Sequence, residues 1–576
     1  MKAPQLRRRA ASGVPSGWSD AVHPVLRQVY AARGVLHPAQ AEHRLQHLLA
    51  PQALPGLTAA VELLIEAIDA DASIVVAGDY DCDGATGTAV AVRGLRLLGA
   101  RRVGYAIPNR FVHGYGLSPA LVASLEPAPD LIVTVDNGVA SVAGVAAARA
   151  RGMRVIVTDH HLPGEQLPQA DALVNPNVPT PGMEASQLGS LAGVGVMFYL
   201  LLAVRARRRE QGAFASQPEP DLSTLLDLVA LGTVADLVPL DFNNRVLVEA
   251  GLKRIRGGRA CAGIAALVEA GKRSLATACA SDLAYAVGPR LNAAGRLEDM
   301  RLGVECLLTD DPAQARLLAE RLSAINQDRR ELQDAMVAEA EAMIGALGVD
   351  ALPTRTGVTL YESSWHAGVI GLVASKLKER LHRPVIAFAP AEEGRLNDLR
   401  GSARSIPGFH MRDALAAIDA RMPGLIERFG GHAMAAGLSL KAADYPRFAD
   451  AFDALACAWL DEERLQAVLY TDGELPPGAV CVELARQLRD GGPWGQSFPE
   501  PLFDNLFECA QWRVMGQRHW RLSLRDPRDG NMHEAVMFNV GSQAPPPRLR
   551  AVYELAINDW QGRESARLLL RHVEPA

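Results

Sequence analysis

Asp79, Asp81 and Asp83 alternate with Tyr80 and Cys82 in the stretch Ala77-Gly-Asp-Tyr-Asp-Cys-Asp-Gly84. Carboxylates this close repel one another unless they are splayed into water or a cation lies between them. Two familiar cation and phosphate loops are excluded. An EF-hand needs a glutamate at its twelfth position, which here is Val90, and it needs a helix rather than an apolar strand pattern in front. A phosphate-cradling loop needs a following Gly-Lys-Ser/Thr, which is missing. What remains is a carboxylate cluster suited to hard divalent cations, Mg²⁺ or Mn²⁺.

Further donors recur downstream in Asp136-Asn-Gly138, in Asp159-His-His161 and at Asp236 within Leu231-Gly-Thr-Val-Ala-Asp-Leu-Val-Pro239. Imidazole ligands shift the preference toward Mn²⁺. The candidate ligands are Asp79, Asp81, Asp83, Asp136, His160 and Asp236. Such a set can hold two metals about 3.5–4 Å apart, the spacing for in-line phosphodiester hydrolysis. His161 would then bond to the phosphate or donate a proton. Each motif alone also reads as a turn, a polar loop or a helix cap; together they read as a metal site.

The elements that position them follow from hydrophobic patterning. Ser73–Ala77, Asp130–Val135, Arg154–Thr158 and Ala172–Val174 read as buried parallel strands, with crossover helices at Thr88–Leu98 and Val142–Ala150. Three of these strands run straight into the polar motifs. Ligands of open α/β sheets collect at the carboxyl ends of strands, so the motifs are expected to converge.

Residues 185 to 310 read as mainly helical, including Asp221–Gly232. A long helix is expected from Pro312 to about Leu347, apolar at three- and four-residue spacing. A second α/β lobe follows, with strand Gly357–Tyr361, the stretch Trp365–Ile370, a helix and strand Pro384–Phe388. After about residue 465 come Trp494, Trp512, Trp520 and Trp560 and the alternation Trp520–Leu524, which predict a small β-barrel. The expected fold class is α/β. Two α/β lobes, 1–310 and 351–462, are joined by a long connecting helix over 311–350, and an OB-like barrel occupies 463–576.

Composition narrows the function classes. The 576 residues are 49% hydrophobic and 22% charged, with net charge −6, which argues against a nonspecific nucleic-acid coat protein. The clusters Arg205–Arg209 and Lys253–Arg259 could serve as local basic grooves for nucleic acid, but basic helix faces are usually just solvated. Seven cysteines without a Cys-x-x-Cys pair indicate reduced thiols. The basic Arg7-Arg8-Arg9 precedes a polar stretch rather than a signal core, and no long uncharged apolar run occurs. A cytoplasmic protein with no membrane association is expected.

The motif set Asp79-Tyr-Asp-Cys-Asp83-Gly, Asp136-Asn-Gly, Asp159-His-His161 and Gly-Thr-Val-Ala-Asp236 resembles the DHH phosphoesterase superfamily. Gly430-Gly-His432 is similar to the signature of the accompanying DHHA1 domain. Pro108-Asn-Arg110, His113-Gly-Tyr-Gly116, Gly288-Pro-Arg-Leu-Asn-Ala-Ala-Gly-Arg296 and Trp365-His-Ala-Gly-Val-Ile-Gly371 narrow the likeness to the RecJ family, bacterial exonucleases specific for single-stranded DNA. The resemblance implies that residues 1–310 are a DHH domain, 351–462 a DHHA1 domain and 463–576 a nucleic-acid-binding OB domain. It implies the six metal ligands named above, two bound Mg²⁺ or Mn²⁺ ions, His161 at the scissile phosphate and Asp159 orienting the histidine pair. Arg110, Arg290, Asn292, Arg296, His366, Ser402, Arg404, Gly430, Gly431 and His432 would contact DNA or its 5′ phosphate. Ala403 departs from the family's more usual glycine, which bears on the local backbone approach.

The implied reaction is 5′-to-3′ cleavage releasing mononucleotides, in recombination, mismatch repair and base-excision repair. Its partners would be single-stranded DNA, a single-strand-binding protein and a recombination helicase, with the enzyme a monomer. A cleft between the lobes would admit one strand and reject a duplex. Other readings set beside these are surface ion pairs for Arg290 and Arg296 against a functional turn at Asn292–Gly295, a packed turn for Trp365-His366, and barrel core for the tryptophans. Two competing functions are a DHH phosphodiesterase of short oligonucleotides or cyclic dinucleotides, and a replication scaffold that has lost its metals. The barrel speaks against the first and the complete ligand set against the second.

Overall fold

The computed structural model describes residues 3–10, 13–110, 112–179, 186–346, 355–392, 395–516, 518–541 and 543–576. The chain divides into two compact units, one of residues 8–323 with 470–576, the other of 1–7 with 324–469.

In the first unit, five short strands form a parallel sheet: β1 (Ile74–Ala77), β2 (Val103–Ala106), β3 (Leu131–Val135), β4 (Arg154–Thr158) and β5 (Ala172–Val174), in the order β2-β1-β3-β4-β5. β3 is buried along its whole length, as a central parallel strand covered on both faces requires. The four expected strands are present. β2 was not expected, because Val103-Gly-Tyr-Ala is a short edge segment interrupted by Gly104 and offers little β signal. In this strand order the connections reverse direction between β1 and β3. Open α/β sheets bind ligands in the crevice at such a reversal.

Helix α1 (Cys82–Leu97) begins earlier than the expected Thr88, directly on the acidic motif, with Asp81 as its N-cap. Asp side chains cap helix N-termini by accepting the orphan amides there, and this one accepts Gly84 N–H at 3.0 Å. Gly84 therefore lies inside the helix. Its lack of a side chain serves close packing, since a Cβ there would stand 2.5 Å from the Asp79 carbonyl oxygen. Helices α2 (Val142–Ala150), α3 (Gly193–Glu210) and α4 (Leu226–Ala235) follow. α1 packs on both α3 and α4. α5 (Gly288–Leu297) replaces the expected functional turn at Asn292–Gly295. Gly295 lets α5 pass against Tyr80, whose carbonyl oxygen lies 1.9 Å from where a Cβ would be.

The long helix α6 runs over Pro312–Ala346. Leu347 and the 350/351 boundary lie outside the described residues. The second unit carries β6 (Val358–Tyr361), α7 (Ile370–Leu381), β7 (Val385–Glu392), β8 (Arg395–Arg404), β9 (Arg428–Gly431) and β10 (Ala435–Lys441). Its sheet runs β9-β10-β8-β7-β6, parallel between β6 and β7 and antiparallel elsewhere. Phe388, Phe448 and Phe452 are fully buried in its core.

The C-terminal strands β11 (Phe503–Met515), β12 (His519–Arg525), β13 (Met532–Met537), β14 (Arg548–Trp560) and β15 (Arg563–Pro575) close into a barrel, β11-β12-β13-β15-β14. Along β12, Trp520, Leu522 and Leu524 point inward, as the alternation predicts. Trp520 and Trp494 are core, whereas Trp512 is 41% exposed. Trp560's side chain lies outside the described residues. No single helix among the described residues is long and apolar enough to cross a membrane.

Candidate metal centre

The crevice between β1 and β3 is where the acidic residues meet. Asp79 follows β1, Asp136 follows β3, and Asp159-His160-His161 follow β4. Ligand atoms of Asp79, Asp81 and Asp136 lie within 4.8 Å of one another, as do those of Asp83, His160 and Asp236, and those of Asp136, His160 and His161. His160 Nε2 stands 3.1 Å from Asp136 Oδ1, 3.5 Å from Asp236 Oδ2 and 4.0 Å from Asp83 Oδ2. Asp136 and His160 each belong to two trios, and of the two only the Asp136 carboxylate, with two oxygens, could serve two cations at once. The structure brings all six expected ligands together.

The backbone is built to hold them. Asp136 has φ +62°, a left-handed conformation costly for a residue with a Cβ, and strain of this kind collects at functional sites. Gly193 opens α3 so closely against it that a Cβ would stand 2.5 Å from the Asp136 Cβ. Asp83 accepts the amides of Gly193 at 2.6 Å and Val194 at 3.0 Å, so its charge faces the positive end of α3. Asp236 sits at the opposite kind of terminus, the C-cap of α4, where the exposed carbonyls repel an anion. A helix-cap explanation of Asp236 therefore fails electrostatically, and a neighbouring cation would relieve it.

Without cations the charges are poorly tolerated. Burial, and then Asp81's charge, hold Asp79 well above the carboxylate range. Burial and Asp83 do the same to Asp136 and to Asp236. Burial and Asp81 push Asp83 up to about 7, against the amides of Val194 and Gly193. Burial lowers His160 to about 4, leaving a neutral imidazole of the kind that ligates metals. Asp79 Oδ1, Asp136 Oδ1 and His160 Nε2 are buried and make no well-formed hydrogen bond, although the last two stand 3.1 Å apart. Buried polar atoms are ordinarily satisfied. Three orphans aimed into one crevice fit a donor set for divalent ions.

Asp159 is different. Burial would raise it, but hydrogen bonds from the His161 ring and from the amides of Val139 and His161 hold it below its usual value. Its Oδ1 accepts from His160 N–H at 2.7 Å and His161 N–H at 3.1 Å, and lies 2.8 Å from His161 Nδ1. Burial lowers His161, yet the Asp159 carboxylate lifts it overall to about 9.

Asn175 and Asn177 were not singled out in the sequence, and Asn137 and Tyr115 entered only as parts of quoted motifs without a role. Asn175 donates to the His161 carbonyl at 2.9 Å and Asn177 to the His160 carbonyl at 2.6 Å, fixing the histidine loop from the end of β5. Asn137 donates to the Ala77 and Val135 carbonyls at 3.0 and 2.9 Å, tying β1 to β3 beneath the crevice. Tyr115 stands edge-on to His161 at 6.3 Å. Asn175-Pro-Asn177, directly after an expected strand at the same sheet edge, was the available signal.

The expected DNA contacts divide between the units. In the first, Arg110 lies over the Tyr80 ring at 4.4 Å with its buried Nε lacking a hydrogen-bond partner. Asn292 Oδ1 accepts the Cys82 amide at 2.8 Å, and so braces the acidic loop. Arg290 donates to the Ala286 carbonyl, to the Ala270 carbonyl at 3.0 Å and to Ser323 Oγ at 2.9 Å. These contacts tie its guanidinium to two backbone carbonyls and to the Ser323 side chain of α6. Arg296 lies in the last turn of α5.

In the second unit, Gly430, Gly437 and Ser402 share one row across β9, β10 and β8. Gly371 brings the start of α7 so near that a Cβ would lie 2.9 Å from both Ser402 Oγ and Arg404 Nη2. Arg404 donates to Ser402 Oγ at 3.1 Å and to the Ala403 carbonyl at 2.8 Å. His366 Nδ1 accepts the Gly368 amide at 3.1 Å, and Trp365 is buried with its indole on Glu339 at 2.9 Å, a packed turn. Gly431 has φ +138°, and His432 N–H donates to the Ala435 carbonyl at 2.8 Å.

Known proteins share this architecture. The DHH family N-terminal domain matches residues 73–233, the DHHA1 domain 355–457 and the RecJ OB domain 471–572. The single-stranded-DNA-specific exonuclease RecJ of Dickeya dadantii is 49% identical over 99% of both chains, and that of Escherichia coli 46% identical over 99% of both. The crystal structure of RecJ in complex with Mn²⁺ from Thermus thermophilus superposes with a TM-score of 0.78 at 32% identity, covering 96% of this chain and 76% of that one. An unbroken likeness from end to end, carried by all three domains, makes this chain a member of the RecJ family of single-stranded-DNA-specific exonucleases.

Proposed function

We propose that the protein hydrolyses single-stranded DNA from the 5′ end and releases 5′-mononucleotides. Asp79, Asp81, Asp83, Asp136, His160 and Asp236 would hold two divalent cations, Mg²⁺ or Mn²⁺. The observation that carries this is the trio of buried, orphaned atoms on Asp79, Asp136 and His160 at the sheet's reversal point. When bound, the two cations supply charge at the attacking and leaving oxygens and acidify a water.

The chain's own residues do the rest. Asp159 holds the His161 ring through Nδ1, which directs Nε2 toward substrate, where an N–H can bond a phosphate oxygen or pass a proton to the leaving group. Arg110, steadied on the Tyr80 ring, presents its fork to an adjacent phosphate. In the other unit, Ser402 and Arg404 meet the start of α7 at Gly371 and would supply donors to a 5′ phosphate.

In this reading residues 1–310 cleave, 311–350 connect, 351–462 bind the strand's phosphates and 463–576 grip its bases. The protein would act as a cytoplasmic monomer with a single-strand-binding protein and a recombination helicase. The test is digestion of 5′- and 3′-labelled single strands, duplexes and dinucleotides with Mg²⁺, Mn²⁺ or chelator. Metal-dependent release of mononucleotides from 5′ ends of single strands is expected. Asp81→Ala and His161→Ala should abolish turnover and leave strand binding largely intact. Preference for the dinucleotide, or near-normal turnover in either variant, would overturn the assignment.

A further inference from the structure

The buried face of α6 is broken by a polar block. Leu322 and Ile325 precede it and Met336 and Ala340 follow it, all buried at helical spacing. Between them the same face carries Asn326, Arg329 and Gln333, each at least nine-tenths buried. An apolar stripe interrupted by a charge is a local breach of the pattern that folds the helix, and such breaches concentrate at functional sites.

Arg329 Nη1 donates to Gln333 Oε1 at 2.7 Å and Nη2 to Asn326 Oδ1 at 2.6 Å. Both partners are neutral amides. A guanidinium has five N–H donors, so these two contacts do not exhaust it. No carboxylate among the described residues forms an ion pair with it. By contrast, the equally sequestered Arg33 meets Asp472 at 2.7 Å. Exposed Asp334 and Arg330 on the same helix act on its charge in opposite directions. A buried cation without an anion is costly, and an apolar side chain of similar volume would often stabilise the fold instead. The two amides hold the planar fork in one orientation, which is the preparation that bidentate recognition of a phosphate uses.

We propose that Arg329, oriented by Asn326 and Gln333, binds a backbone phosphate of the single strand. This rests on the single-strand reading above and adds a phosphate contact on α6 to it. The test is anisotropy of a labelled oligothymidine with the full chain in chelator, across a salt series. Arg329→Met should keep or raise the melting temperature, weaken binding several-fold, and reduce the log–log salt slope by about 0.7, one phosphate's share on a single strand. Arg329→Lys should keep the slope while losing part of the affinity. Arg329→Gln, which matches its amide neighbours, repeats the measurement if the methionine variant folds poorly. An unchanged slope in a folded, charge-removed variant overturns the proposal, as does collapse of both variants. Wild-type protein without salt-dependent binding would instead remove the reading beneath it.

Discussion

Asp236 is the C-cap of α4, and its carboxylate stands 3.5 Å from His160 Nε2, the same ring nitrogen that lies 3.1 Å from Asp136 Oδ1. The α4 carbonyls oppose an anion there, and burial followed by the Asp83 charge favours its protonated form. Its presence is a cost to the metal-free protein. Asp236→Asn should therefore melt at the same temperature as wild type, or higher, in chelator. Added Mn²⁺ should stabilise wild type, by about 2.7 kcal/mol at a hundredfold excess over Kd, and the variant much less. Melting curves with and without Mn²⁺ check this. A variant that melts lower in chelator would make Asp236 structural.

Asn292 reaches from α5 to the first amide of α1, its Oδ1 accepting Cys82 N–H at 2.8 Å. Cys82 lies between Asp81 and Asp83, so this bond sets the pitch of the acidic motif. Outer contacts of this kind change metal affinity by about 10–100-fold when removed. Asn292→Ala should lower Mn²⁺ affinity in that range by calorimetry, with strand affinity in chelator nearly unchanged. Loss of strand affinity alone would point instead to direct phosphate contact.

These two residues mark what patterning revealed and what it left hidden. Asp79, Asp136 and His160 were legible because each follows an apolar run, and strand ends at one sheet edge meet whatever their separation in sequence. Asp236 was visible only as an odd acid, since its meaning comes from which end of α4 it occupies. Asn292 read as part of a turn, because the contact that makes α5 a brace for the acidic loop joins segments far apart in the chain. β2 escaped because Gly104 and an edge position weaken any strand signal. Trp494, Trp512 and Trp520 look alike in sequence; the fold packs Trp494 on Tyr30 and Phe498 ahead of the barrel, puts Trp520 inside the barrel and leaves Trp512 on its rim.

His43 gives the fold an acid-sensitive point away from the metals. It is buried beside Arg245, whose Nε lies 3.3 Å from His43 Nε2, and burial followed by the Arg245 charge lowers it to about 3. Above about pH 6.5 it is neutral in folded and unfolded chains alike. Between about 6.5 and 3 only the unfolded chain takes up the proton, so stability falls as pH falls, by roughly 2–3 kcal/mol at about pH 4.5. His43→Gln, which can still accept from Arg245, should flatten that part of the stability–pH curve. Denaturant titrations at neutral and acid pH measure it, and an equal acid loss in both proteins would exclude His43 as the cause.

Trp512 and Trp520 separate the barrel's grip from its core. Trp520 pairs across to Val514, is 7% exposed and donates its indole N–H to the Gln543 carbonyl at 2.9 Å. Trp512 sits two residues from Val514 on the same face of β11, and both stay exposed where the strand runs past the packed interior. Phe538 is also exposed and meets His519 edge-on at 5.2 Å. Exposed aromatics on an OB barrel stack bases at about 1–3 kcal/mol each. Trp512→Ala should weaken oligothymidine binding by that amount without shifting the melting temperature. Trp520→Ala should destabilise the protein by about 3–5 kcal/mol, the cost of emptying a packed tryptophan site. Near-normal strand affinity in Trp512→Ala would mean that the bases take another face of the barrel.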